Sequence, residues 1–488
     1  MKILLVTGRI MEKEVKKIAE KFNCDVYVVD VDVASFITPK HLENVDLSCY
    51  DLVLVPGLTS NCNWKRLEDE KGVKVRLGSI HISDLPIILR NIEKIELSHK
   101  IPACKLLNSK KAEENLKLVD SLNECYFHIG DVKVGGRMKI VAEIVNATNM
   151  DNNRLIDIVD YYVESGADIV DLGIPLEFDL RDVERVVKTA RDHCGALSID
   201  TFSKKAMEVG VEHGVDMVMS VSYNNLDCLD VLKDVAVVVV ERDVDRLRKL
   251  VGVVRERCER VIADPILDPT NIFESLLRYQ KFRSIDDTPL LFGVGNATEL
   301  MDADSIGINA TLAYIAEEIG CQLLFTTEAS DKTRGCVREL RVASYMSKVS
   351  KLKGIPPKDL GFDLLVLKEK RVRWDIKKVE NVVLAKSEKF VRDPMGDFKI
   401  WIDGRNIFCK HEKAVVVGNN AKEIIDTVIR LGLVSRLDHA GYLGRELKKA
   451  EIALKLGKSY FQDEELKFGI YEVTSLPSSK CSQLQSVQ

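Results

Sequence analysis

The chain has 488 residues, 46% of them hydrophobic and 30% charged, with a formal net charge of -5 at pH 7. That length predicts two or three domains, and the interspersed charges leave no basic stripe, which excludes nucleic acid as the main partner and disfavours anionic membranes. The longest apolar run, around residues 235–240, falls far short of the roughly 20 residues that cross a bilayer, and the opening MKILLVTGR reads as a first strand, so a cytoplasmic protein is expected.

Residues 2–7, 25–31, 52–56 and 73–77 read as short apolar strands, with an amphipathic helix over 12–21. This rhythm predicts a small doubly wound α/β domain, flavodoxin- or Rossmann-like, over residues 1–130. Its loops Thr7-Gly8-Arg9 and 56–61 suit a small polar ligand. No GxGxxG follows the first strand, however, and tight turns account for them as well.

Between residues 139 and 326, eight apolar runs alternate with helix-length segments: 139–146, 168–171, 196–200, 216–220, 235–241, 261–264, 290–293 and 322–326, with helices over stretches such as 154–164, 180–191 and 305–318. Eight strand–helix units predict a parallel (β/α)8 TIM barrel over 136–350, set off by Gly135-Gly136 before it and a charged stretch over 352–378 after it. Almost every run ends on a polar residue. Asn146, Asp171, Asp200, Ser220, Glu241, Asp264 and Asn296 fall at the C-terminal strand ends or in the loops that follow, the rim on which such barrels carry their chemistry.

A C-terminal α/β domain is expected over 365–475, with strands at 399–402 and 414–417 and helices over 421–431 and 440–456. Gly418-Asn419-Asn420 joins a strand to a helix there, a place for a phosphate at a helix N-terminus or simply turn chemistry. Residues 476–488 read as a disordered tail. The twelve cysteines occur singly, without a CxxC pair or zinc spacing, which fits a reduced compartment and small buried apolar roles. No metal site is read from the sequence.

Two strand ends have specific chemistry. Asp200 in Ser198-Ile199-Asp200-Thr201 and Asp264 in Ala263-Asp264-Pro265 each close a short apolar strand, half desolvated and facing the mouth. Such carboxylates accept well from a flat heterocycle that offers adjacent N–H groups, such as an aminopyrimidinone. Helix capping is the alternative for Asp200. After the last strand, Glu328, Lys332 and Arg334 lie close together. Lys332 and Arg334 are placed to meet an acidic tail or phosphate, or to form a solvated loop salt bridge.

With Asn146-Ala147-Thr148 after the first strand, Ala167-Asp168-Ile169-Val170-Asp171 at the second, Ser198-Ile199-Asp200-Thr201 at the third and Ala263-Asp264-Pro265 at the sixth, the chain resembles the pterin-binding barrel superfamily of dihydropteroate synthases and methyltetrahydrofolate-type methyltransferases. Its three-part organisation resembles the archaeal dihydropteroate synthase-related proteins. The resemblance implies a reduced pterin, tetrahydromethanopterin or tetrahydrofolate-like, held by Asp200 and Asp264, with Asn146, Asp171, Ser220 and Asn296 completing the pocket and Asn296 and Asp200 acting in catalysis. The synthases' Thr-Pro-Asp-Ser-Phe loop is here Thr148-Asn149-Met150-Asp151-Asn152, and their Ser-Arg-Lys is Gly295-Asn296-Ala297. The positive charge that expels diphosphate is therefore largely missing.

Gly293-Val294-Gly295-Asn296 is instead similar to the methyltransferases' Gly-x-Ser-Asn loop, whose asparagine approaches pterin N5; a turn residue or helix cap is the alternative for Asn296. The expected function is a pterin-dependent transferase of archaeal one-carbon metabolism that takes a methyl group from a reduced pterin. The alternatives are a synthase-like condensation of hydroxymethyl-dihydropterin diphosphate with an arylamine, with Mg2+ and Asn146 on the diphosphate side, and a non-catalytic pterin carrier or sensor. The segment around His439 is similar to the cobalamin-carrying subunit of the archaeal methyl-tetrahydromethanopterin methyltransferase, which makes His439 a candidate corrinoid ligand; a packed structural histidine is the alternative. A homodimer and a corrinoid protein as partner complete the expectation.

Overall fold

The computed structural model describes residues 1–369, 382–386 and 389–468, and the tail expected over 476–488 lies outside them. The chain forms two compact units, Met1–Arg371 and Val372–Gln488.

The first unit opens with β1 (Ile3–Gly8), α1 (Glu12–Phe22), β2 (Asp25–Val29), β3 (Leu52–Val55), α2 (Trp64–Lys71) and β4 (Lys74–Leu77), whose strands form a parallel sheet in the order β2-β1-β3-β4. Strand alternation sends Leu4, Val6, Val53 and Val55 to a face covered by Trp64 and Leu67. Ile3, Leu5, Leu52 and Leu54 go to the other face, against Val15 and Ala19 of α1 and Leu85 and Leu89 of α3 (Leu85–Arg90). Both faces are buried, which is why these strands read as continuous apolar runs and the sheet is doubly wound.

Next, α4 (Ala103–Asp120) leads into a hairpin of β5 (Phe127–Ile129) and β6 (Val132–Val134), turned at Gly130 with φ of 51°. The sequence reading treats this stretch as a domain boundary, but it is the floor of the barrel. Ile129 and Val134 are fully buried against Val141, Ile169, Ala196, Met217 and other inward-facing strand residues.

The barrel strands are β7 (Lys139–Ile144), β8 (Ile169–Gly173), β9 (Leu197–Asp200), β10 (Met217–Val221), β11 (Ala236–Val240), β12 (Val261–Asp264), β13 (Leu291–Gly293) and β14 (Leu323–Thr327). They run parallel in the order β12-β11-β10-β9-β8-β7-β14-β13. A parallel bridge between Ala263 and Leu290, with the Ala263 N–H donating to the Pro289 carbonyl at 2.8 Å, nearly closes the ring. Around it lie α5 (Asn152–Ser165), α6 (Leu180–Arg191), α7 (Lys204–Glu212), α8 (Val244–Arg255), α9 (Ile272–Ile285), a short α10 (Val294–Glu299), α11 (Ser305–Ile319) and α12 (Cys336–Lys353). The expected (β/α)8 architecture is thus present, with a 3-10 segment, Leu226–Val231, taking the helix position between β10 and β11. Ile140, Ala142, Ile144, Val170, Leu172 and Ile199 pack outward against the helices, so the alternate residues of the same strands face the barrel axis.

In the second unit β15 (Lys399–Ile402), β16 (Ile407–Lys410) and β17 (Val415–Gly418) form an antiparallel meander, packed on α13 (Ala421–Arg430) and α14 (Leu437–Leu456). β16 is missing from the sequence reading, although the Asp403-Gly404 turn before it, with Gly404 at φ of 89°, is a legible hairpin signal. Asn420 accepts from the N–H groups of Lys422 and Glu423 at 2.9 and 3.3 Å, and Glu451 takes that of Ala421 at 3.0 Å. The donors at the start of α13 are thereby occupied, which favours turn chemistry over phosphate for Gly418-Asn419-Asn420. None of the described cysteines forms a disulfide, and no described helix is long and apolar enough to cross a membrane.

Candidate active site

Inward-facing positions change character along the barrel axis. Deep in the barrel they are apolar, as at Val141, Ile169 and Ile262, whereas at the C-terminal end they become Glu143 on β7, Asp171 and Gly173 on β8, Ser198 and Asp200 on β9 and Asp264 on β12. Glu143 is in register with Asp171, and Gly173 with Asp200. One ligand oxygen each from Glu143, Asp171 and Asp200 lies within 4.8 Å of the other two. Gly173 permits this, because a Cβ on it would collide with Glu143 Oε1.

Asp171 has no exposed surface. The Ser198 hydroxyl donates to its Oδ1, and Oδ2 has no hydrogen-bond partner among the described residues. Burial first, then the charges of Asp200 and Glu143, hold its carboxyl well above the usual range. Burial, reinforced by Asp200 and Glu299, pushes Glu143 up to about 7. Asp200 is raised by burial, against a hydrogen bond from Ser220. Three carboxyls so close in a low-dielectric interior cannot all ionise without a positive partner.

The sequence reading ends the second strand at Asp171. The strand continues to Gly173, so Asp171 sits a layer below the rim. Glu143 is absent from the residues expected at the site, yet the alternation Lys139, Val141, Glu143 against Ile140, Ala142, Ile144 marks it as a charged residue on the face that a barrel buries.

Asp264 is built differently. The N–H of Ile266 and the hydroxyl of Tyr279 both donate to Oδ1, at 2.8 and 2.7 Å, and neither bond involves Oδ2. Burial pushes this carboxyl up to about 6, moderated by those two bonds. Tyr279 is fully buried on α9, and nothing in its sequence neighbourhood signals this role. To present its N–H, Ile266 adopts a φ of 65°, costly for a β-branched residue. Asn146 at 54° and Ser220 at 67° are left-handed too, so backbone strain gathers where the strands reach the mouth. Asp200 does not cap α7; Ser203 does, accepting from the Ala206 N–H at 3.4 Å.

Asn146 stands exposed two residues beyond β7. The loop after it is pinned by Arg185 of α6, which donates to the carbonyls of Thr148 and Met150, both at 3.0 Å, and to Asn152 Oδ1 at 2.8 Å. Arg185→Ala is expected to cost about 1–2 kcal/mol, since three acceptors lose a charged donor. A lowered urea midpoint and faster amide exchange over 146–152 are the readouts. Thr148 Oγ1 is buried and has no hydrogen-bond partner among the described residues.

Asn296 lies in α10, not in a turn, and its Nδ2 donates to the Leu267 carbonyl at 3.1 Å, tying together the loops after β12 and β13. It packs so closely on Gly293 that a Cβ there would come within 2.9 Å of Nδ2. On the loop after β14, Lys332 pairs with Asp302 at 2.8 Å and Arg334 is exposed, while Glu328 takes the Val337 N–H at 3.0 Å at the start of α12. His439 belongs to the second unit. Its Nδ1 lies 3.1 Å from Asp393 Oδ2, and its ring lies edge-on to Phe398. Asp393 is also bonded by the N–H groups of Met395, Ser435 and Arg436, which makes His439 one member of a packed network.

A (β/α)8 barrel whose mouth offers partly buried carboxylates at the ends of separate strands has the features of a site for a flat nitrogen heterocycle bound through its N–H edge. Residues 143–325 match the family described as Pterin binding enzyme, and residues 392–463 match the one described as PterinBD-DUF4346. An uncharacterized protein of Methanocaldococcus jannaschii, MJ0107, is 38% identical over 525 residues, covering 96% of this chain and 99% of its own. Similar solved structures include the dihydropteroate synthase of Yersinia pestis with a pterin–sulfa conjugate, at 14% identity over 46% of this chain and 99% of that one, with a TM-score of 0.39. That of Thermus thermophilus is 20% identical over 44% of this chain and 96% of that one, with a TM-score of 0.38. The chain belongs to the same family as its M. jannaschii relative, and residues 143–325 within it form a pterin-binding enzyme domain.

Proposed function

We propose that this protein is a pterin-dependent transferase of archaeal one-carbon metabolism that takes a methyl group from a reduced pterin such as methyl-tetrahydromethanopterin. The observation that carries this reading is Asp264, whose Oδ1 is saturated by Tyr279 and Ile266 so that Oδ2 remains for the N–H donors of a pterin edge. Asp200, held by Ser220, accepts from the same ring, and Met219, Val240 and Phe325 supply an apolar wall beside it. Asn146 and Asp171 complete the polar surroundings.

Asn296 has one amide proton on the Leu267 carbonyl and a second to give. Donated to N5, that proton stabilises the electron pair that returns to nitrogen as the methyl–nitrogen bond breaks. Asn296→Ala is expected to slow methyl transfer roughly 10- to 100-fold while changing the pterin Kd about threefold or less, because the amide acts mainly in the transition state. Single-turnover rates and calorimetry separate the two effects.

The acceptor in this reading is a corrinoid carried by a partner protein, with the chain itself a homodimer. No step is assigned to His439, whose Nδ1 is engaged by Asp393. Incubation with methyl-tetrahydromethanopterin and reduced cobalamin tests the reaction; formation of methylcobalamin is expected. Retained pterin binding without demethylation would exclude methyl transfer, and failure to bind any reduced pterin would end the whole reading.

The unpartnered Thr148 hydroxyl close to Asn146 favours, as a second reading, a condensation in which Mg2+ and a diphosphate sit on that side of the mouth. Diphosphate release from hydroxymethyl-dihydropterin diphosphate with an arylamine is its assay. Against it stands Lys332, engaged by Asp302 and so held away from a leaving group unless that pair breaks.

A further inference from the structure

Buried carboxylates elsewhere in this chain have donors. Asp168 is gripped by Arg137 and Arg341, and Asp393 by backbone N–H groups and Ser435; Glu317 Oε2 has no hydrogen-bond partner among the described residues, but Lys348 and Lys351 meet the charge of that carboxylate at Oε1. Glu339, which lacks a cation, still receives Ser305 and Asn309. The group at the barrel mouth departs from this pattern. Glu143, Asp171 and Asp200 converge within 4.8 Å, and no ion pair reaches any of them among the described residues. One oxygen, Asp171 Oδ2, is wholly buried without any hydrogen-bond partner among the described residues.

That oxygen is the observation that separates the group from a solvated acidic patch. A carboxylate oxygen sealed away from water costs several kcal/mol unless something positive or hydrogen-bonding meets it. Among the described residues no N–H donates to it, and carboxylate oxygens of Glu143 and Asp200 come within 4.8 Å of one of the Asp171 oxygens. Gly173 adds a second indication, because its missing Cβ is what allows Glu143 to lean towards the other two. Ca2+ ligands at ~2.3–2.6 Å from a common centre lie no more than about 5 Å apart and Mg2+ ligands at ~2.0–2.1 Å no more than about 4 Å, so the three oxygens, within 4.8 Å of one another, fit the larger ion as they stand and the smaller one after a slight inward movement.

We propose that Glu143, Asp171 and Asp200 form a site for one hard divalent cation, Mg2+, Mn2+ or Ca2+, at the floor of the barrel mouth. Hard oxygen donors without thiolate or imidazole select this class of ion over zinc or copper. The site is separate from Asn146, towards which the synthase resemblance directs a metal, and it does not depend on the identity of the organic ligand above it.

The test uses the full chain, stripped with chelator, and Mn2+ followed by electron paramagnetic resonance without any pterin present. One saturable Mn2+ per chain is expected, displaced by Mg2+ or Ca2+, with a rise in melting temperature on binding. Asp171→Asn and Glu143→Gln are each expected to weaken Mn2+ at least tenfold, whereas Asp302→Asn, an exposed rim carboxylate, changes it less than twofold. Asp171→Asn is isosteric and removes a buried charge, so its folding is checked by circular dichroism and by a melting temperature at least that of the chelated parent. Absence of saturable Mn2+ binding up to millimolar concentration would overturn the site, as would undiminished binding by both variants. Mn2+ binding by a chain that binds no reduced pterin would leave this inference standing and remove the proposed function alone.

Discussion

Asp264→Asn is expected to lower the affinity for a reduced pterin by about 100- to 1,000-fold, roughly 3–4 kcal/mol, with the fold intact. The size follows from which oxygen is already engaged. Ile266 N–H and Tyr279 O–H both donate to Oδ1, so an asparagine turns its carbonyl towards them and its NH2 towards the mouth. Donor then meets donor across the ligand edge, and at least one ligand N–H is left unpaired in a desolvated site. Calorimetry with a reduced pterin measures the loss, and an affinity within threefold of the parent would remove Asp264 from the pocket.

The same residue sets a pH dependence. Its carboxyl titrates at about 6 in the free protein, and a ligand offering N–H donors binds the ionised form. Affinity is therefore expected to be flat above pH 7 and to fall towards tenfold per pH unit below 6. In Asp264→Asn the contribution of this group to that slope disappears.

Glu143→Gln is expected to stabilise the protein by about 3 kcal/mol at pH 8 in the presence of chelator, since raising a carboxyl's pKa by one costs its ionised form about 1.4 kcal/mol. In the folded protein the Glu143 carboxyl is raised from 4.5 to about 7, so the native state holds its proton more tightly than the unfolded chain does. Below about pH 4.5 the group is protonated in both states and carries no penalty; between about 4.5 and 7 stability falls as pH rises; above 7 the full penalty persists. Glutamine removes the charge and with it this part of the slope. Urea unfolding at pH 5 and pH 8 is the measurement: the variant is expected to exceed the parent clearly at pH 8 and by much less at pH 5. Equal stabilities at both values would mean that the neighbouring carboxyls, not Glu143, hold the shared proton.

The rim is legible in the sequence to different depths. Asp200 and Asp264 are placed by local signals, a short apolar run closed by a carboxylate, and they do end β9 and β12. Asp171 reads one layer too high because a strand that ends in Leu172-Gly173 has no polar stop to mark its true end. Tyr279 is invisible, since a tyrosine on the apolar side of a helix looks like ordinary core until its hydroxyl is found 2.7 Å from the carboxylate of Asp264. The hairpin under the barrel is hidden for a related reason. Two three-residue strands carry too few alternations to register, and only the apolar barrel floor that buries Ile129 and Val134 explains them.

By itself the sequence determined the alternation of strand and helix, the eightfold repeat and the chemical type of the strand ends. These follow from backbone periodicity and from burial of one face or both, which neighbouring residues along the chain encode. Tertiary structure alone decided which of those ends act together. The meeting of Glu143 with Asp171 and Asp200, the orphaned Asp171 oxygen, the saturation of one Asp264 oxygen and the tether from Asn296 to Leu267 all join separate strands or loops. The charge state of a carboxyl depends on how much water the whole fold removes from it and on which charges the fold brings within a few ångströms, and no local stretch of sequence carries that quantity.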